Sequence, residues 1–345
     1  LDQLKPYNKT DIQIAFEATG HYSLNLELFL IDRGYSFMKI NPLVIHQFLK
    51  ARSLRRTKTD KADSLTIANS LMSVPYKPNS NLLYNIFSLK SLCRSREQLI
   101  KERCKYQVLL TNELDLTFPE LKPFFNNNFS ATLLFILEKY INTEHISLMR
   151  DYDSIRATFH GKFSYAKFAK LRELAKNSVG RHDENTDLLI STYIAIIRTF
   201  NDKIDPIKKQ ISTIIKVLNP RMLTIPGLGE ISAATILSEY GDINNFSSPN
   251  KMLAFAGLEP SIIQSGTIEN NGKMVKHSSD HLRYSIMNTA MIILRYSPTF
   301  YDYYLKKRSE GKCHRIALSH VCKKLLRVIY TLEKNNINFD PSLLK

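Results

Sequence analysis

The chain has 345 residues, 43% of them hydrophobic, which is enough to bury a sizeable core. A formal net charge of +16 exceeds what a neutral surface needs and points to a polyanionic partner, nucleic acid first among them. Four cysteines without framework spacing, no apolar run of membrane-spanning length and no secretory leader argue against a disulfide scaffold or a membrane protein, and imply a soluble protein of a reducing, cytoplasmic setting.

Along the chain, Ile12, Ile14 and Phe16 alternate with Gln13 and Ala15, the period of a half-buried strand ending at Glu17. Gly20 permits a turn. A helical pattern then covers Tyr22 to Arg33 and stops at Gly34, and Tyr35 to Ile40 predicts a second strand closed by Asn41-Pro42. This is a βαβ unit. Its strands are expected to be parallel, with Glu17 at the carboxyl end where ligands of such sheets gather. Taken alone, such a glutamate is as readily a solvated strand end.

Arg52, Arg55, Arg56 and Lys58 form a basic run that could cradle nucleic-acid phosphates or be a solvated loop. Asp60 and Asp63 follow. Three apart, they project from one face of a helix and could share a hard cation, Mg²⁺ or Mn²⁺. They also fit a plain helix start, with Asp60 as N-cap and Asp63 favouring the positive end of the dipole.

Three regions are expected, at 1–78, 79–219 and 220–345. In the middle one Ile190, Tyr193, Ile197, Phe200, Ile204, Ile207, Ile211, Ile214 and Leu218 recur three and four apart, the seam of a coiled coil. Pro206 falls inside it. The seam holds its phase across the proline, so one kinked helix is expected. An earlier seam, Leu82, Ile86, Leu89, Cys93, Ile100, Leu110 and Leu114, is interrupted by Arg96, Arg103 and Gln107 at apolar positions. An antiparallel hairpin of the two helices, a homo-oligomer through them, or ordinary core packing would each bury these stripes.

In the third region Ile225-Pro226-Gly227-Leu228-Gly229 separates helical patterns and resembles a helix-hairpin-helix, whose glycines let backbone amides approach a phosphate. A structural turn is the alternative. A terminal helix is predicted over about His314 to Lys334. Cys313, His314, His320 and Cys322 crowd together, yet their spacing fits no common zinc pattern.

Phe16-Glu17-Ala18-Thr19-Gly20-His21-Tyr22 and Lys58-Thr59-Asp60-Lys61-Ala62-Asp63 together resemble the DEDD transposases of bacterial insertion sequences, whose RuvC-like domain carries the acids of a metal site. The second half agrees. Thr224 to Gly229, Gly257-Leu258-Glu259-Pro260, Gln264-Ser265-Gly266 and Leu282-Arg283 are similar to the C-terminal transposase domain of the same family, whose members are guided by a noncoding bridge RNA. The resemblance implies a fold of α/β plus α type: a partial RuvC-like (RNase H-like) domain, a helical coiled-coil middle and an α-rich C-terminal domain. It implies Glu17, Asp60 and Asp63 as ligands of Mg²⁺ or Mn²⁺, and Ser265 as the nucleophile toward DNA. Apart from the resemblance, Arg283 could contact phosphate near Ser265 or be an exposed helix arginine, and Lys276 is a further candidate for nucleic acid. DNA and a guide RNA are the implied partners.

Two departures from the family pattern stand out. Relatives carry a first Asp on an earlier strand, whereas only sixteen residues precede Glu17 here, and Asp2 and Asp11 are poor substitutes. Asp11 would lie about 20 Å of strand away from Glu17. The expectation is a chain lacking the opening strands of the fold, with an exposed sheet edge, an incomplete metal site and no activity as it stands. In Lys276-His277-Ser278-Ser279, Ser278 stands where relatives usually have Gly. A metal-dependent nuclease or junction resolvase, and a catalytically dead nucleic-acid-binding remnant, remain alternatives to the recombinase.

Overall fold

The computed structural model describes residues 7–18, 22–40, 42–52, 59–73, 75–76, 84–125, 129–159, 163–265, 268–274 and 279–343. The chain divides into two compact units, each assembled from separate segments. The first takes Leu1–Phe87, Tyr240–Ser278 and Cys322–Ile337; the second takes Ser88–Glu239, Ser279–Val321 and Asn338–Lys345.

In the first unit, strands β1 (Ile14–Glu17) and β2 (Phe37–Ile40) pair in parallel, with Ile14 opposite Phe37 and Glu17 opposite Ile40. Helix α1 (Leu24–Asp32) is the crossover. It ends as its sequence predicts, because Gly34 at φ 69° takes the left-handed conformation and Tyr35 N–H returns to the Leu30 carbonyl at 2.9 Å. Phe16 and Phe37 stack at 5.4 Å on one face of the pair. Helices α2 (Pro42–Arg52) and α3 (Asp60–Ser73) follow, and α3 packs on β1. Among the described strands β1 pairs only with β2. Beside Ile12–Ala15 lies an apolar groove of about 490 Å³, walled by Leu26 and Phe29 of α1 and Ile67 and Leu71 of α3.

Helix α4 (Tyr84–Thr117) leads into the second unit. Five shorter helices come next: α5 (Leu121–Phe124), α6 (Ala131–Lys139), α7 (Thr143–Leu148), α8 (Tyr152–Thr158) and α9 (Tyr165–Lys176). Helix α10 (Glu184–Leu218) opens on a capping box in which Asp183 accepts from Thr186 N–H. It passes through Pro206 as a single helix. The proline is exposed, so the carbonyl it deprives of a partner can turn to water.

Within this unit α4 and α10 lie antiparallel: Arg103 donates to Asn201 at 2.7 Å, Tyr106 meets Phe200 and Tyr193, and Gly180 abuts Thr117. The buried line on α10 is Ile190, Ile194, Ile197, Ile204, Ile211 and Ile215. Tyr193, Phe200, Ile207 and Ile214 flank it, half-buried. The arginines that interrupt the α4 seam stay semi-buried, and burial pushes the Arg96 guanidinium below its usual range. Leu110, Leu114, Leu133, Ile155 and Leu171 join α10 in one apolar cluster.

The remaining helices are α11 (Glu230–Tyr240), α12 (Pro249–Phe255), α13 (Asp280–Tyr296), α14 (Pro298–Ser309) and α15 (His314–Asn335). Between α12 and α13 an antiparallel hairpin intervenes, β3 (Pro260–Ser265) with β4 (Ile268–Met274), inside a region expected to be helical. In the first unit Tyr240, Phe246 and Phe255 pack ring against ring at 5.4 to 5.6 Å, and Tyr330 donates to the Phe246 carbonyl. Among the described residues no helix is long and apolar enough to cross a membrane.

Candidate functional site

Glu17 ends β1, and beyond it Ala18 N–H bonds the Ile40 carbonyl at 3.0 Å, which holds the two carboxyl ends of the strands together. The Glu17 side chain is half-buried. At the start of α3 the cap is Thr59, whose hydroxyl accepts from Ala62 N–H at 3.2 Å and whose carbonyl accepts from Asp63 N–H at 2.9 Å. Asp60 is therefore the first helical residue and not the N-cap, while Asp63 sits one turn further on, half-buried. The side chain of Asp60 lies outside the described residues.

Neither the Glu17 nor the Asp63 carboxylate has a hydrogen bond or ion pair among the described residues. Half-buried carboxylates left without a partner suit a hard cation better than a structural role, which would supply them with donors. Among the described side chains no three His, Cys, Asp or Glu converge. A fully buried acid that the sequence did not advertise lies in the same unit: Glu27 accepts from Ser23 at 2.7 Å and pairs with Lys39 at 2.7 Å. Its partners mark it as structural.

Ser265 is the last residue of β3. It stands opposite Ile268, with residues 266–267 joining the strands, so the serine backbone lies at the tip of the hairpin. The hairpin and the acids share the first compact unit although they lie far apart in the chain.

The segment that carries this hairpin, 240–278, has both roots tied in the second unit to one stripe of α4. Glu239 receives Arg94 Nε at 2.6 Å and Nη2 at 2.9 Å, with Lys90 at 3.3 Å and the Ser279 hydroxyl also donating. Burial by itself would raise the Glu239 carboxyl, but these donors and charges outweigh it and hold the group below the usual carboxylate range. One turn along, Glu97 bridges His281 Nδ1 at 2.6 Å and Lys101 at 2.6 Å. Periodicity cannot reveal either cluster, since each joins helices remote in sequence.

Gly227 adopts φ 89°, and an added Cβ would come within 3.0 to 3.2 Å of Tyr296 and of the Ile293 backbone. Its bareness thus serves close packing on α13. Gly229, which opens α11, has nothing within 4 Å of a would-be Cβ, leaving room for a ligand. Arg283 pairs with Asp280 in the first turn of α13. The backbone of Arg52 ends α2, whereas Arg55, Arg56, Lys58 and Lys276 lie outside the described residues. Of the crowded Cys/His group, His314 Nδ1 bonds the Tyr304 hydroxyl and Cys322 is buried, its thiol pushed up to about 12 by desolvation.

Two family models match the chain. A transposase model of the DEDD, IS110 type covers residues 1–119, and a model of the "Transposase IS116/IS110/IS902 family" covers residues 219–305. The chain belongs to the IS110-type DEDD transposases. Over 99% of its length it is 25% identical to a pilin gene-inverting protein of Moraxella bovis, of which the match covers 86%. Over 35% of its length it is 30% identical to a 42 kDa protein of the insertion element IS900 of Mycobacterium paratuberculosis, covering 31% of that protein. A 43.6 kDa IS110 protein of Streptomyces coelicolor is 21% identical over 46% of the chain, covering 39% of its own length. In this transposase the first family match contains Glu17, Asp60 and Asp63, and the second contains Gly227, Gly229, Ser265 and Arg283. The middle helices, 120–218, lie between the two.

Proposed function

We propose that this transposase cuts and rejoins DNA through a serine nucleophile, Ser265, beside a divalent cation held by Glu17, Asp60 and Asp63. The single observation that supports the reading is that residues 1–87 and 240–278 belong to one compact unit, which therefore contains both the three acids and the serine-bearing hairpin. The Glu17 and Asp63 carboxylates, which have no partner among the described residues, support it. When bound, Mg²⁺ or Mn²⁺ would stabilise charge on the attacking and leaving oxygens.

Ser265 Oγ forms a bond to phosphorus as its proton passes to a base, while the bond from phosphorus to the leaving strand breaks and that oxygen takes up a proton. The phosphoserine ester conserves the energy of the phosphodiester. Attack by a hydroxyl of the incoming strand then releases Ser265 and seals the new junction. Strand exchange requires more than one cutting centre, which calls for a second copy of the chain. The second partner is a noncoding guide RNA, a reading supported by the family resemblance, by the basic run Arg52, Arg55, Arg56 and Lys58, and by Lys276.

Incubating the chain with labelled DNA and Mn²⁺, then denaturing, tests the serine. A covalent protein–DNA adduct that disappears in Ser265→Ala is expected. Cutting that persists undiminished in Ser265→Ala, with water as the nucleophile, would instead establish a metal-dependent nuclease.

A further inference from the structure

The last two turns of α14 and the start of α15, all within the second unit, form a surface that the cutting site does not use. Tyr301 and Tyr304 lie three apart on α14 with rings 6.3 Å apart and 26° from parallel, and Tyr301 is 45% exposed. Tyr304 in turn meets the His314 ring edge to face at 5.8 Å and bonds its Nδ1 at 2.8 Å, which fixes the tyrosine ring against α15. Arg308, seven residues beyond Tyr301 and so on the same helix face, donates to the Lys312 carbonyl at 2.9 Å. That bond folds the guanidinium over the turn. Arg315 follows, exposed.

Arg308, Lys312 and Arg315 thus set three cations in and around the turn that joins the tyrosine-bearing α14 to α15. Of the nearby acids, Glu310 is bound by Lys307 at 2.7 Å and also feels Lys312 and Lys306, and Asp302 lies about a quarter-turn from Tyr301 on α14. A solvated helix end would explain the cations through the dipole. It does not account for the stacked pair of tyrosines on the same helix, Tyr301 of which is 45% exposed. Planar faces flanked by cations suit unpaired bases on a phosphodiester backbone.

We propose that this surface binds single-stranded DNA, with a base stacked on Tyr301 and backbone phosphates on Arg308, Lys312 and Arg315. The choice of DNA rests on the transposase reading above, because strand exchange exposes unpaired DNA. Glu310, the carboxylate of this turn, is held by Lys307 and not offered to a ribose 2′-hydroxyl, so the surface does not select RNA.

Fluorescence anisotropy of the full chain with labelled oligo(dT), oligo(rU) and a mixed-sequence duplex, across a salt series, tests the proposal. Tyr301→Ala is expected to weaken oligo(dT) binding roughly tenfold while leaving duplex binding unchanged, and Tyr301→Phe to restore it. Lys312→Gln and Arg315→Gln should each lower the salt slope on oligo(dT) by about 0.7. Oligo(dT) affinity that is unmoved by Tyr301→Ala, equal losses on duplex, or losses confined to oligo(rU) would overturn it. So would a wild-type chain that binds no oligo(dT). The titrations are made in EDTA, which withholds divalent cation, so that the binding readout does not depend on whether Ser265 cuts.

Discussion

Arg94 grips Glu239 with two parallel hydrogen bonds, Nε to one carboxylate oxygen at 2.6 Å and Nη2 to the other at 2.9 Å, across 145 residues of chain. The glutamate side chain is only 2% exposed, so its charge depends on these donors rather than on water. Because Glu239 precedes the segment bearing Ser265 and Ser279 closes it, the same carboxylate links both roots of that segment.

Removing the arginine should therefore be costly, and the cost should depend on pH. Arg94→Ala is expected to lower unfolding stability by about 1.5 to 3 kcal/mol near neutrality. The folded carboxyl lies below its unfolded value of about 4.3, so its contribution is present above that pH and fades as pH falls through the lower, folded value. Urea unfolding of wild type and variant at pH 7 and at pH 3 to 3.5 checks this. A deficit that stays constant into acid would show that Glu239 is not the partner that matters.

Glycine substitutions should separate packing from ligand access. At Gly180 a new Cβ would meet the Thr117 carbonyl oxygen at 2.1 Å, a backbone atom that cannot step aside, and Gly180→Ala should cost at least about 2 kcal/mol. Gly229→Ala meets nothing and should stay within about 0.5 kcal/mol of wild type. If the turn before α11 approaches a phosphate, Gly229→Ala should nevertheless weaken duplex DNA binding. Thermal melts paired with a duplex titration give both readouts, and an unchanged duplex affinity would leave Gly229 with a turn role alone.

Divalent cation should stabilise the chain through Glu17 and Asp63. At a Mn²⁺ concentration of a hundred times Kd, a ligand binding only the folded state adds about 2.7 kcal/mol, seen as a higher melting temperature. Glu17→Gln combined with Asp63→Asn should abolish that increment without lowering the metal-free melt, since neither carboxylate has a partner to lose among the described residues. An equal Mn²⁺ shift in the double variant would place the cation elsewhere.

Local rules reached far along this chain. The βαβ unit, the Gly34 stop, the uninterrupted α10 through Pro206 and the terminal helix each follow from patterns a few residues wide, and all are present. The isoleucines of α10 are so frequent that three- and four-residue spacings fit more than one stripe, so periodicity favours the half-buried neighbours over Ile194 and Ile215. The hairpin around Ser265 escaped for the opposite reason. Its second strand, Ile268–Met274, is built on Glu, Asn, Asn, Gly and Lys, poor strand formers held there by pairing with β3.

By itself the sequence determined the family, through motifs in fixed order, and most helix boundaries, through caps and periodicity, because those signals act over one or two turns. Only the tertiary structure decided that residues 1–87 and 240–278 share one unit, that Glu239 belongs to Arg94, and that Gly180 must stay bare against Thr117. Such pairings depend on which surfaces exclude water together, a property of the packed chain that no local pattern encodes.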